Sequence, residues 1–438
     1  MFKTLQNALK MKELRGRLIF TFLMLLVIRF GSQLPVPGVD PDYFADFFNG
    51  SNGDAFNLFN AMTGGSFENF SILALSISPY ITSSIIIQLL TIAIPKLEEL
   101  QQDGQEGRKK IAEITRYVTV GLALIQSTAM SIGFGRSGMF EHYTWYNVVV
   151  CVITLTAGSA FLMWVGERIT EKGVGNGISV VLLYNIISRL PDDAITIYET
   201  FMSGRSIAVQ ILIAVFVIAI LLAILGFTVL LNAAERRIPV QYAKRVVGRK
   251  MYGGQSTNIP IKVAAGGVMP IIFASSIMAF PATIVRLVSG GNMPTAGLGY
   301  YILGCLSAGY ASAWWTSLVY AILYALLILF FTYFYSSIQF NPIELANNMK
   351  KSGGYIPGIR PGKPTSDYIG KISSRLNLVG AFFLAIIAIL PVIVGAIFNV
   401  TALQIGGTSL LIMEGVALET VRQIESQMTM RHYKGFLE

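Results

Sequence analysis

"SISPYITSSIIIQLL", residues 76–90, has the length and apolar bulk of a membrane helix but not the composition of a lipid anchor. Pro79 stands near its front, and Ser76, Ser78, Thr82, Ser83, Ser84 and Gln88 spread hydrogen-bonding groups along it. A helix that met only lipid would carry Leu and Val throughout, because hydrocarbon offers polar groups no partner. Ile77, Ile81, Ser84 and Gln88 fall on one stripe at helical spacing. Such a stripe suits plain packing or lipid contact as well as the wall of a passage.

The rest of the chain sets the context. Of 438 residues, 53% are hydrophobic and 13% charged, against about 25% charged in a soluble domain. This is the composition of an integral membrane protein. Cys151 and Cys305 form no spaced pair, which argues against a disulfide framework or a zinc site, and only His142 and His432 represent histidine. The nearest approach to a phosphate-cradling loop, "GIRPGKP" at 358–364, fails on spacing and ends in proline. No cofactor, no metal and no catalytic residue is expected, so the chain is not read as an enzyme, and energy must come from a partner or a gradient. The N-terminal basic residues followed by "LIFTFLMLLVIRF" (18–30) lack a small-x-small cleavage site and carry Arg29 inside the run. They read as a retained first helix rather than a secretory signal.

A span needs about 20 apolar residues. On that measure ten are expected, at roughly 18–34, 71–94, 117–134, 147–166, 174–190, 207–232, 263–285, 312–334, 377–398 and 403–421. With the N-terminus cytoplasmic, 28 of the 33 Lys and Arg fall on the cytoplasmic side, as the positive-inside bias requires. Both termini are then cytoplasmic. The first outer segment, 35–70, contains no Lys or Arg, and its "AFNLFNAMTGGSFENF" (55–70) is apolar enough to dip back toward the membrane. An ordinary surface loop is the alternative there.

Ten spans divide into two five-helix halves, 1–190 and 191–438, and the odd count inverts one against the other. "PYITSSII" (79–86) aligns without a gap to "PIIFASSI" (270–277), pairing Pro79 with Pro270, Ile81 with Ile272 and Ser84 with Ser275. Proline-interrupted spans at matching positions point to the working site of an inverted-repeat transport protein.

Several stretches carry a resemblance. "ILALSISPYITSSIIIQLL" (72–90), "WVGERITEKGVGNGIS" (164–179), "ERRIPVQYAKR" (235–245), "GVMPIIFASSIMAFP" (267–281), "GGYIPGIRPG" (353–362) and "GGTSLLI" (406–412) are similar, in order, to the motifs of the SecY family, central subunits of the bacterial protein-conducting channel. Ser76 stands where a glycine is expected of that family, and Ser78 and Leu182 also depart from common choices. The resemblance implies an all-α membrane protein with ten transmembrane helices around a central hourglass pore, passing unfolded secretory chains across the bacterial inner membrane. It implies a pore constriction of Ile77, Ile81, Ile178, Leu182, Ile272 and Ile412. It implies a plug at about 56–70 that includes Leu58, Phe59, Met62, Gly64, Gly65 and Phe67. It also implies a lateral gate between the second and seventh spans, which releases hydrophobic segments into lipid. That gate would be lined by Thr82, Ser83, Ser84, Gln88, Pro270, Ser275, Ser276 and Phe280. On this reading Pro79 and Pro270 loosen their helices where they must move. The mixed face of 76–90 would meet a chain in transit, the opposing span and lipid in turn.

The loop 233–262 has seven Lys or Arg against one acid, and 335–376 has six against two. Topology alone explains part of this excess. Lengths of about thirty and forty residues exceed that need, so a docking face is expected at Arg236, Arg237, Lys244, Arg245, Arg249, Lys250 and Arg360. By resemblance the partners are the ribosome, the SecA motor ATPase, the small membrane subunits SecE and SecG, signal peptides, nascent polypeptides and membrane lipid. The competing reading is a secondary transporter of a small solute. Such proteins keep ionisable groups near the midplane, whereas Arg29, Glu414 and Glu419 are the only charges well inside the expected spans.

Overall fold

Proline marks where the second span becomes a helix. The computed structural model describes residues 10–40, 43–44, 60, 62–201, 206–242, 245–247, 250–252, 256–263, 266–267, 269–288, 297–306, 314–398 and 401–434. Helix α1 covers Lys12–Ser32. Residues 71–77 run as successive turns, and helix α2 begins only at Ser78, ending at Ala93. The expected span 71–94 is therefore helical only from Ser78 on. Pro79 sits in the first turn of α2, where an N–H would have no intrahelical acceptor and the fixed φ suits a helix start. Pro270 holds the corresponding place in helix α8, Met269–Val288. The two matched prolines thus start helices, which corrects the expectation that they interrupt and loosen them. Within α8 the proline inside the helix is Pro281.

The chain divides into two compact units, one drawn from Met1–Gln210, Ser275–Tyr320 and Pro391–Glu438, the other from Ile211–Ala274 and Ala321–Leu390. In the first, α2 turns through 106° into helix α3, Pro95–Gln102. Helices α4 (Gly104–Phe134), α5 (Trp145–Lys172) and α6 (Gly177–Phe201) follow. Helix α7 is Ile207–Ala233, and beyond α8 come α9, Leu298–Leu306, and, at the C-terminal end, α13, Thr401–Lys434. Without a hydrophobic force between helices in lipid, small and polar residues join them. The Ser127 and Thr156 hydroxyls meet at 2.9 Å between α4 and α5, and Arg116 Nε donates to Glu167 Oε1 at 2.7 Å. Gly158 of α5 lies so close to the turn segment that a Cβ would stand 2.0 Å from the Ile72 carbonyl oxygen. The core of this unit collects Phe44, Phe67, Phe70, Leu75, Met130, Phe134 and Leu155.

The second unit holds most of α7, which buries only Thr228 and Leu231 among its residues and otherwise turns apolar side chains outward. After it comes β1, Glu235–Tyr242, paired antiparallel with β4, Ser256–Lys262, so that Ile238 faces Ile259 and Val240 faces Thr257. Strands β2 (Arg245–Val247) and β3 (Lys250–Tyr252) make a separate two-stranded ladder. Helices α10 (Trp314–Gln339) and α11 (Pro342–Lys351) lead to β5 (Gly354–Tyr355), which pairs on the free edge of β1. Helix α12 is Lys363–Phe398. The two basic loops are therefore not plain connections: they fold into a sheet over a core of Ile238, Val240, Ile261, Met349, Ile356 and Ile369. Alternation of Arg237, Ile238, Pro239, Val240 and Gln241 has the period of two that buries one face of a strand.

Each of the ten expected segments contains a helix. By length and composition, five helices among the described residues are long and apolar enough to cross a membrane, or six if the bent pair α2 and α3 counts as one.

Candidate functional site

Within the turns at 71–77 stands Ser76, a non-glycine residue at φ 48°. That left-handed conformation crowds a Cβ against the following carbonyl and costs about 1–2 kcal/mol. Its neighbours hold it there. Ser159 Oγ of α5 donates to the Ser76 carbonyl at 3.3 Å, and Asn185 Nδ2 of α6 donates to Ser76 Oγ at 3.2 Å. Asn185 Nδ2 also donates to the Met62 carbonyl at 3.1 Å. A second donor reaches the same segment from α1, where Arg29 Nη1 lies 3.1 Å from the Gly64 carbonyl and 3.5 Å from Ser188 Oγ. Ser188 Oγ in turn donates to the Asn185 carbonyl at 2.8 Å. An arginine in a span calls for a partner, and here the partner is a backbone carbonyl.

Asn60 and residues 62–71 hold one another in shape. Asn60 Nδ2 donates to Glu68 Oε2 at 2.9 Å, and Asn60 Oδ1 accepts from the Glu68 N–H at 3.2 Å. Gly64 and Gly65 turn the chain at φ 67° and 80°, a conformation glycine adopts without strain. Phe67 and Phe70 are fully buried beside Phe134 and Phe44, with ring centroids 4.6 to 6.5 Å apart. Of the expected plug residues, Met62, Gly64, Gly65 and Phe67 belong to this folded segment, whereas Leu58 and Phe59 lie outside the described residues.

The expected constriction residues are buried. Ile77 and Ile412 are 1% exposed, Ile272 2%, Leu182 3% and Ile81 5%. Ile178 is half-buried and so close to Gly166 that a Cβ there would meet its Cγ1 at 2.9 Å. Within the first unit, Ile77 follows Ser76, whose hydroxyl is bonded by Asn185, about one turn beyond Leu182. Leu14, Val174 and Ile424 cluster near the start of α6, and a Cβ on Gly175 would touch Thr420 Oγ1 at 3.1 Å. Residues 411, 412 and 414–416 are buried while 425 and 426 are exposed, and α13 packs against α6. Ile272 belongs to the second unit, in the buried run 271–274, with Phe273 against Phe331 and Tyr335.

The polar groups expected along the gate are mostly engaged already. Thr82 Oγ1 donates to the Ser78 carbonyl at 3.0 Å, Ser83 is fully buried with its hydroxyl against that of Thr119 on α4, and Gln88 Nε2 donates to Ser84 Oγ at 3.1 Å. Ser83 thus joins the second span to the third. On α8, Pro270 and Ser275 are buried, Ser276 is half-buried and Phe280 is 48% exposed.

On the basic loops, Arg236 and Arg237 are exposed on β1, and Arg237 Nε donates to Glu235 Oε1 at 2.8 Å. Arg245 lies in β2 and Lys250 in β3, while Lys244 and Arg249 lie outside the described residues. Arg360 is exposed on a turn whose Gly358 and Gly362 have φ 81° and 106°. Ile356 and Ile359 root that turn in the core beneath the sheet, and Thr365 Oγ1 caps the Arg360 carbonyl at 2.8 Å. Sequence reasoning missed Asn185, Ser159 and Ser188. A carboxamide one helical turn from Leu182 was the available signal for Asn185.

Comparison with known proteins agrees along the whole chain. The family model described as SecY matches residues 71–421. A protein translocase subunit SecY of Halalkalibacterium halodurans is 45% identical, with all of both chains covered, and one of Thermotoga maritima is 40% identical, covering all of this chain and 98% of its own. Among solved structures, one described as "The structure of a protein conducting channel" superposes with TM-score 0.64 at 17% identity, over 94% of this chain and 92% of that one. Sec61 in the canine ribosome-channel complex superposes with TM-score 0.59 at 15% identity, over 94% and 92%.

Proposed function

The chain belongs to the SecY family and is a protein translocase subunit, and we propose that it forms the passage through which unfolded secretory polypeptides cross the membrane. One observation carries this: full-length identity of 40–45% to protein translocase subunits, with the motif residues Ile77, Ile81, Leu182, Ile272 and Ile412 all buried.

In this reading Ile77, Ile81, Ile178, Leu182, Ile272 and Ile412 form a collar. Bulky aliphatic groups close a pore to ions by dewetting, and they yield around a passing chain without selecting its sequence because they make no directional bonds. Residues 60–70 are the core of the plug. The second and seventh spans part to release hydrophobic segments into lipid, with Gln88, Ser84, Ser275, Ser276 and Phe280 along the seam. The sheet of β1, β4 and β5 and the Arg360 turn are the docking face. Phosphates of ribosomal RNA attract such basic groups, and an acidic face of the SecA motor would do the same. SecE and SecG complete the assembly in the bacterial inner membrane, with ten spans, inverted halves and both termini cytoplasmic. The small-solute transporter is not favoured.

Reconstitution tests the reading. Vesicles holding this chain, its two small partner subunits and the motor ATPase should import a labelled secretory precursor and protect it from external protease. A stalled precursor should crosslink to positions 77, 81, 178, 272 and 412. No protected precursor, together with no crosslink from an actively exporting membrane, would refute it.

A further inference from the structure

Two polar side chains of the first unit have no task in the collar, the seam or the docking face. Arg29 is the one charge in the first apolar run, and Asn185 is the one carboxamide of α6. We propose that Arg29 and Asn185 form a two-sided clasp on the backbone of residues 62–64, with Ser76 as its third member, and that this clasp sets how firmly the channel stays shut. The inference rests on reading 60–70 as the plug. Arg29, Asn185 and Ser76 are positioning residues: they act through the segment they hold.

The geometry is specific. The amide nitrogen of Asn185 carries two hydrogens, and it donates to the Met62 carbonyl at 3.1 Å and to Ser76 Oγ at 3.2 Å. The side chain is 5% exposed, so a hydrogen left without an acceptor there would not find bulk water. From the other side, the Arg29 guanidinium donates to the Gly64 carbonyl at 3.1 Å, and hydrogen bonds from an ionised donor are roughly twice as strong as neutral ones. Gly64 lies directly on α6, where a Cβ would stand 3.0 Å from Asn185 Cα. What is gripped is backbone, at two carbonyls two residues apart, by donors from two different spans.

Ser76 explains itself in this setting. At φ 48° a glycine would be unstrained, yet only a residue with a side-chain oxygen can accept from Asn185. The serine accepts a strained backbone and in return orients the carboxamide toward Met62. Glycine at 76 would relax the turn and free one amide hydrogen, which loosens the clasp.

The test uses the full-length chain in the complete translocase. Resting ion conductance is recorded in planar bilayers without precursor, and export of a precursor with a shortened signal is followed in cells. Asn185→Leu and Arg29→Met should each raise resting conductance about tenfold and increase export of the weak-signal precursor. Arg29→Lys, which keeps a charged donor, should stay near the parent. Ser76→Gly should raise conductance about threefold, and because it relaxes the backbone it serves if the other variants fail to accumulate. A merely structural role would lower export and leave the weak signal unassisted, which overturns the proposal. Parent-level conductance in Asn185→Leu and Arg29→Met at normal abundance overturns it as well, and a fall in conductance in Ser76→Gly removes Ser76 from the clasp. A chain lacking residues 62–66, measured alongside, separates the two readings. A rise there without a rise in the clasp variants refutes the clasp alone, and no rise there refutes the plug.

Discussion

Gly64 and Asn185 touch backbone to backbone: a methyl group on Gly64 would lie 3.0 Å from Asn185 Cα and 2.9 Å from Ser188 Oγ. The first contact is with main chain of α6 at a buried position, which cannot swing away as a side-chain tip can. Gly64 also holds φ 67°.

Gly64→Ala should therefore push the plug segment off α6. Backbone strain of this kind costs about 1–3 kcal/mol, before any cost of moving α6. Resting ion conductance in planar bilayers should rise, and Gly65→Ala, at φ 80° with open space around its Cα, should have the smaller effect. Equal effects at the two positions would remove contact with α6 as the cause.

Ile81→Asn or Ile412→Asn should wet the collar. Both sites are almost fully buried, and an unsatisfied carboxamide there costs about 1–3 kcal/mol unless water follows it in. Conductance should increase, and precursors with defective signals should pass more readily. Unchanged conductance and export in both variants would take these residues out of the collar.

A disulfide between the second and seventh spans should block export. After Cys151 and Cys305 are replaced by alanine, cysteine pairs are scanned along 82–88 and 275–280 and oxidised in the membrane. Reduction should restore transport. Full crosslinking with undiminished export would exclude a seam between those helices.

Arg360→Glu should weaken docking with little effect on stability. The side chain is exposed, and exposed substitutions usually change stability by no more than about 0.5 kcal/mol. Binding to the ribosome or the motor should fall and become less sensitive to salt, as expected when a phosphate or carboxylate contact is lost. Binding equal to the parent across a salt titration would remove Arg360 from the docking face.

Val240→Asp should unfold the sheet instead. Val240 is fully buried in the core beneath β1, and an unpaired buried charge costs several kcal/mol. Limited proteolysis should cut within 233–262 in this variant and not in the parent.

Composition and hydropathy alone were enough to identify a multi-span membrane protein, because the absence of water in a bilayer forces about 20 apolar residues into each crossing. The signature stretches carried the family, and the helices fall where the apolar runs are. The alternation Ile238, Val240, Tyr242 was also readable, although the basic pair Arg236 and Arg237 directly before it signals charge more strongly than period. What sequence could not decide was partnership across distance. Arg29 and Gly64 are 35 residues apart, Asn185 and Ser76 109 apart, and Ser83 meets Thr119 on a different span than its gate assignment suggested. A hydrogen bond depends on tenths of an ångström and on direction, and only the packed helices supply those. The same holds for Pro79 and Ser76: the residue types were plain in the sequence, but the turn that makes one a helix start and the other a strained acceptor exists only in the folded chain.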